Sequence, residues 1–491
     1  MSVHQPRERT LVWFRGKDLR LTDHMALYEA SRRGPIVAVF VLDPYYFAPA
    51  RAALLPHRIQ FLLESLSSLK GNLESRGAQL YLLRGRSLDT IAEVARQLGV
   101  ERVVAQRWTE PMGRVRDRAI EERLHVPFTL FEGETLLAPE SVRTREGKPF
   151  SVYTPFARAA RLELHLPRPF GPPRSLDAPD VEATLRPWLT PLPRLDELGL
   201  KRNPRLLEGG EKAARARLLH FLKHELSHYE TARDQMGIEG TSRLSADLKF
   251  GTLSVRAVWH ALSEQPASEA RRRYEAELLW REFAYHNLWE RPSLLRTSFR
   301  PDFRNFPYRT DRSDFDAWCR GQTGYPLVDA SARQLLSEGY VHNRARMISA
   351  SFLTKHLLID YKWGEAHYLK YLTDGDLASN NMGWQWSAGS GVDAAPYFRV
   401  FNPITQGKKF DPDGTYVRRY VPELRHLASR YIHAPWHAPS EELERANVRL
   451  GENYPRPLID AAEGRQRFLQ AAKRRLTPGS ETESLAPAET P

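Results

Sequence analysis

The run Ile36–Leu42, IVAVFVL, decides how the first part of this 491-residue chain folds. It is a short stretch rich in β-branched residues, closed by Asp43-Pro44, and it reads as a strand. Similar runs stand at residues 11–14, 80–83, 103–106 and 128–131. Between them lie amphipathic stretches such as 58–73 and 88–98, whose apolar residues recur at three- and four-residue spacing, as crossover helices require. This alternation predicts an α/β domain over residues 8–136, built as a doubly wound, Rossmann-like parallel sheet. No Gly-x-Gly-x-x-Gly follows the first run, so the usual dinucleotide fingerprint is absent.

Outward from that domain, the composition shifts to Pro and Arg, with LPRPFGPPRS at the centre of the shift, and residues 137–205 read as an interdomain connector. Long helical periodicities follow, for example over 211–229, 269–289 and 343–360, so residues 206–476 are expected to form an all-helical domain. Residues 477–491, a mixture of Ser, Glu, Pro and Ala, are expected to be a disordered tail. No internal repeat is visible.

Composition narrows the function. No stretch is apolar enough to cross a membrane, the N-terminus lacks the apolar core of a secretory signal, and the single cysteine, Cys319, excludes an internal disulfide framework or a cysteine metal cluster. A cytoplasmic location is therefore expected. The sixteen histidines are scattered, no His-Glu-x-x-His occurs, and no metal site is expected. The net charge of +12 fits either a solvated basic surface or a polyanionic partner. Eight of the eleven tryptophans fall between Trp259 and Trp436, which adds base-stacking surfaces to that charge.

The densest functional wording is residues 380–403, NNMGWQWSAGSGVDAAPYFRVFNP, where Trp384 and Trp386 stand one residue apart among Gly, Asn and aromatics. That is a poor recipe for ordinary helix packing. Asp374-Gly375-Asp376 lies just upstream. Thr241-Ser242-Arg243-Leu244-Ser245 either caps a helix or cradles a diphosphate. Glu277, Trp280 and Arg281 are spaced i, i+3 and i+4, so they share one face of the predicted helix 269–289. Asn343, Arg346 and Met347 share one side of another.

Taken together, these strings resemble the DNA photolyase and cryptochrome family over nearly the whole chain, closest to the class I cyclobutane pyrimidine dimer photolyases. The resemblance implies FAD in the helical half and damaged DNA as substrate, with light-driven electron transfer from reduced FAD splitting the dimer. Tyr229 and 241–245 would hold the FAD phosphates. Asn380 would face flavin N5, Arg281 would lie against the flavin, and Arg346 would pair with Asp374 beside Gly375 and Asp376. Glu277 would hydrogen-bond the damaged base, and Trp280 and Trp386 would clamp it. Asn343 and Met347 stand where the pyrimidine(6-4)pyrimidone enzymes have histidines, which favours cyclobutane dimers. Arg344 and the polar turn 402–409, with Thr405, Gln406, Lys408 and Lys409, would position the DNA strand. A monomer is expected.

The chain departs from the family in its electron relay. Trp384 matches the innermost tryptophan, the expected obligatory first donor, but Tyr361 and Tyr308 stand where the next two would be. Rerouting through Trp363 or Trp318 is the alternative. The family also implies a second, antenna chromophore, a methenyltetrahydrofolate or a deazaflavin, unless Trp108 fills its place. The rival function is a cryptochrome-type blue-light receptor that binds FAD without repair. Such a receptor would be expected to lack the set Glu277, Trp280, Met347 and Trp386, which is complete here.

Overall fold

A computed structural model describes residues 8–476; the tail expected over 477–491 lies outside the described residues. The five expected strands are present as β1 (Thr10–Phe14), β2 (Ile36–Leu42), β3 (Leu80–Arg84), β4 (Arg102–Gln106) and β5 (Phe128–Phe131). All pair in parallel, in the order β3-β2-β1-β4-β5, with Thr10 in register with both Ile36 and Arg102. Side chains alternate between the faces of a strand. Val12 and Phe14 of β1 join Ile36, Ala38, Phe40 and Leu42 of β2 in one core layer, while Leu11, Trp13, Val37, Val39 and Val41 face the other. Burial on both faces explains the unbroken apolar run at 36–42.

The chain runs β1 to β2 to β3 on one side and then crosses β1 to build β4 and β5. A crevice opens beyond the carboxyl ends of the strands where such an order reverses. The fold thus prepares a ligand site without the glycine fingerprint.

The described chain divides into two compact units. The first takes everything up to Leu295 together with Arg333–Arg344 and Glu365–Met382; the second takes Arg296–Ala332, Ala345–Gly364 and the chain from Gly383. The connector is less irregular than its composition suggests, because a helix, Tyr153–Glu163, precedes the Pro-rich centre.

Helix Glu269–Glu290 matches its periodicity, with Ser268 capping its start by accepting from the Arg271 amide at 3.1 Å. The other two long helices are interrupted. The first is α-helical only over Glu211–His220 and widens to a π-turn at Phe221–Glu225; the second runs Asn343–Ser351 into a π-turn at Phe352–His356. The chain then reverses at Leu358, whose φ of 58° is left-handed and ends any helix.

Two readings need correction. Residues 402–409 are not a turn: Pro403–Phe410 is a helix, with the Asn402 carboxamide accepting from Ile404 and Thr405 amides at 2.9 and 3.2 Å and Pro403 at its first position. The Asn- and Trp-rich segment is also helical, over Leu377–Ala388. Asn380, Asn381, Gln385 and Ser387 are inside and hydrogen-bonded. Asp376 Oδ1 accepts from the Ser379 amide at 2.7 Å, and Asn380 and Asn381 donate to the Glu365 and Leu294 carbonyls at 3.2 and 3.0 Å. Polarity here marks buried hydrogen bonding, which periodicity does not register.

Candidate functional site

In the first unit, Thr241-Ser242-Arg243-Leu244-Ser245 forms a bend ahead of helix Ser245–Phe250. Arg243 has a φ of 51°, in the left-handed region that a non-glycine residue rarely adopts. Tyr274 donates to Ser242 Oγ at 2.8 Å, and the Tyr340 hydroxyl lies 3.4 Å from Thr241 Oγ1. The Arg243 guanidinium stands 4.4 Å above the Tyr340 ring and 3.3 Å from Glu338. Its Nε is buried without a hydrogen-bond partner. Tyr229 packs edge-on to Tyr274 at 5.1 Å. Burial, followed by Glu277, pushes its phenol well above the ordinary range, so it stays protonated.

Helix Glu269–Glu290 carries the second group, and Glu277, Trp280 and Arg281 remain partly open to solvent. Tyr153 lies flat on Trp280, with centroids 3.7 Å apart and planes 5° from parallel, and its hydroxyl donates to the Ala276 carbonyl at 2.8 Å. Glu277 accepts a close hydrogen bond from Arg233. The next residue, Asp234, accepts from Arg344 at 2.5 Å. Arg281 donates to the Glu134 carbonyl at 2.8 Å and stands 4.2 Å above the Tyr285 ring, while its Nη2 is buried with no hydrogen-bond partner.

Asp376 is the centre of a buried ionic cluster. It accepts from the Tyr285 hydroxyl and lies 4.0 Å from Lys17, which also meets Glu110 at 2.9 Å and pairs closely with Glu134. Burial opposes both charges. The three carboxylates nevertheless hold Lys17 above its usual range, and Lys17 with Arg281 holds Asp376 below that of a free carboxylate. Arg58 donates to the carbonyls of Gly375, at 3.3 Å, and Leu369, so the backbone either side of Asp374 is tied down. Asp374 and Asn380 are buried, and Asn343 is exposed.

A cavity of about 390 Å³ lies at the sheet's crevice. Arg15 and Lys17 after β1, Tyr45 after β2, and Trp108 and Glu110 after β4 line it, together with Arg58, Arg116 and Lys249. Trp108 forms one wall of that cavity. Gly113 makes this possible, since a Cβ there would fall 2.6 Å from Trp108 Cβ.

The second unit contains the remaining expected residues. Trp384 is buried, and Gly364 lies against it so tightly that a Cβ would sit 2.1 Å from the indole Cη2. Trp318 meets Trp384 edge-on at 6.0 Å, Phe315 stacks on Trp318 at 5.9 Å, and Trp363 meets Phe315 at 5.2 Å. Tyr361 is buried, and burial with Asp360 and Tyr361 pushes the Tyr308 phenol far above its ordinary range. Trp386, Arg346, Met347 and Gln406 are half-buried, and Thr405, Lys408 and Lys409 are exposed.

Sequence reasoning missed Tyr153, Arg233, Asp234, Lys17 and Tyr285. Only the Arg233-Asp234 pair, shortly before the 241–245 string, offered a signal, as adjacent opposite charges beside Tyr229.

A hydroxyl and arginine bend and a second arginine with a buried unpaired nitrogen offer donors to an anionic group, and on the same helix as that second arginine a half-open acid stands near a stacked indole. Residues 10–174 match the family described as DNA photolyase, and residues 274–474 match the FAD binding domain of DNA photolyase. The deoxyribodipyrimidine photo-lyase of Agrobacterium fabrum is 41% identical over 471 residues, 94% of this chain and 97% of its own. A bacterial class III photolyase from Agrobacterium tumefaciens is similar in structure with a TM-score of 0.87 at 40% identity, covering 96% of this chain and 98% of that one. A cryptochrome from Synechocystis gives a TM-score of 0.86 at 30% identity, covering 95% and 100%. The chain belongs to the DNA photolyase family. The class III designation of that relative differs from the class I wording of the 380–403 segment; the family is common to both.

Proposed function

We infer that this protein is a deoxyribodipyrimidine photo-lyase that repairs cyclobutane pyrimidine dimers in DNA in a light-dependent reaction with FAD. The observation that carries the reading is the face of helix Glu269–Glu290, where a half-open carboxylate and a stacked indole stand beside two arginines that can take phosphate. When bound, FAD supplies light-driven one-electron reduction, which suits a substrate with no leaving group or acidic proton.

The protein's part is to bind and orient. Tyr229, Thr241, Ser242, Leu244 and Ser245 would hold the phosphates, and Arg243 and Arg281, each with an unpartnered nitrogen, would donate to the cofactor. Asp374, Gly375, Asp376, Asn380, Asn343 and Arg346 complete its setting, with Asp376 ionised to balance Arg281 and Lys17. Glu277 accepts a hydrogen bond from the flipped base, and Trp280, Trp386 and Met347 wall it off from water. Arg344, Thr405 and Gln406 hold the strand. Within the second unit, Trp384 is the first donor and Trp318, in ring contact with it, the second, ahead of Tyr361 and Tyr308; Trp363 follows through Phe315. The cavity beyond the strands takes the antenna chromophore. The working divisions are 8–136 for the antenna domain, 137–205 for the linker and 206–476 for the FAD domain. The enzyme acts as a monomer in the cytoplasm.

The test is loss of dimers from UV-irradiated oligothymidine, followed with the flavin-loaded protein in blue light and in darkness. Repair in light alone is the expected result. A fully flavin-loaded protein that leaves the dimers intact in both would end the assignment and favour the receptor alternative.

A further inference from the structure

Both arginines beside the half-open acid are already engaged. Arg233 is clasped to Glu277, with the two side chains 11% and 30% exposed, so the pair is more sheltered than an ordinary surface ion pair. Asp234 Oδ1 takes Arg344 at 2.5 Å and lies 3.9 Å from Arg233 Nε. One carboxylate oxygen therefore keeps two mutually repelling guanidinium groups side by side, where both can serve phosphates of one strand. Glu277 has two claims on it, from Arg233 and from the base that the proposed function assigns to it.

We propose that Arg233 and Glu277 form a latch that couples recognition of the damaged base to the grip on the DNA backbone. On undamaged DNA no flipped base reaches Glu277, and Arg233 stays clasped. When a dimer swings out, its N–H groups draw the Glu277 carboxylate away and Arg233 turns to a phosphate. Damaged DNA then gains one more backbone contact than undamaged DNA, with no further base contact. Asp234 is a positioning residue that keeps Arg344 in place and Arg233 within reach. This inference rests on the repair reading for the role of Glu277.

The salt dependence of binding isolates the latch. Each phosphate contact to a single strand adds about 0.7 to the slope of log affinity against log salt. Dissociation constants of the flavin-loaded protein for oligothymidine, unirradiated and irradiated, are measured in the dark across a salt series. The wild type should show a slope steeper by about 0.7 on irradiated DNA. Glu277→Gln, which keeps the side chain's shape, frees Arg233 and should steepen the slope on unirradiated DNA by the same amount. Arg233→Gln should leave the unirradiated slope unchanged and lower the irradiated one, and the double variant should match Arg233→Gln on unirradiated DNA. Bound flavin absorbance and thermal melts show that each variant is folded, and Arg233→Met, which also removes the charge, serves as the second variant if Arg233→Gln is not. An unchanged unirradiated slope in Glu277→Gln, or an equal loss on both DNAs in Arg233→Gln, overturns the latch. Normal repair with the wrong slopes removes the latch alone, whereas the expected slopes without repair in light remove the assigned reaction.

Discussion

Trp280 was legible as a candidate from its spacing to Glu277, but the ring that fixes it was not. Tyr153 belongs to a Pro- and Arg-rich connector far away in sequence, and no local pattern links it to the helix. In the folded chain it covers one face of the indole. An offset or parallel aromatic pair contributes about 0.5–1.5 kcal/mol beyond its buried area. Tyr153→Ala should therefore weaken binding of a dimer-containing oligonucleotide by roughly 2- to 12-fold, as read by fluorescence anisotropy in the dark. Tyr153→Phe retains the stack and should bind within about twofold of the wild type. Equal losses in both variants would place the effect in the hydroxyl's bond to Ala276 instead.

At the scale of elements, the strands could be read because runs such as IVAVFVL are buried on both faces and owe their pattern to local chemistry. Helix Leu377–Ala388 could not, because Asn380, Asn381 and Gln385 face inward and take backbone partners supplied by the tertiary structure. Helix Pro403–Phe410 was hidden for a simpler reason: an Asn-Pro start is shared by turns and helices. The π-turn Phe352–His356 holds a second element that periodicity misreads. Lys355 is buried within it and donates to the Arg399 carbonyl at 2.9 Å. Burial, with Arg399 adding to it, lowers its amine to about 7. Between there and its unfolded value the folded protein binds fewer protons than the unfolded chain, so stability rises with pH across that window. The contribution approaches about 1.4 kcal/mol per pH unit at most. Melting measured from pH 7 to 9.5 should show this rise in the wild type. Lys355→Met should flatten it and melt higher at pH 7; an identical pH profile in the variant would refute the assignment.

For the whole molecule, the sequence disclosed two kinds of architecture, yet not how distant segments are joined. Lys17 follows the first strand, Glu134 follows the last, and Asp376 opens a helix hundreds of residues later; their convergence is a property of the completed fold. Removing one member of such a buried cluster strands the others, at a cost of about 3–5 kcal/mol. Lys17→Met should thus lower the melting temperature and release flavin more readily on gel filtration, since it leaves three carboxylates facing one another. Replacing Lys17 and Glu134 together, by Met and Gln, should recover part of the loss. A single variant that melts and retains flavin like the wild type would show that the cluster is not a support.

The same convergence bears on how the protein is made. Asp376 closes against a lysine that left the ribosome long before it, and it also fixes the start of the helix that carries Asn380. Domains assemble from the N-terminal end during synthesis. The sheet must therefore wait, finished and with its lysine held between Glu110 and Glu134, for a third carboxylate that arrives hundreds of residues later, and a nascent chain stalled before that point has no nest in which to take up its pigment.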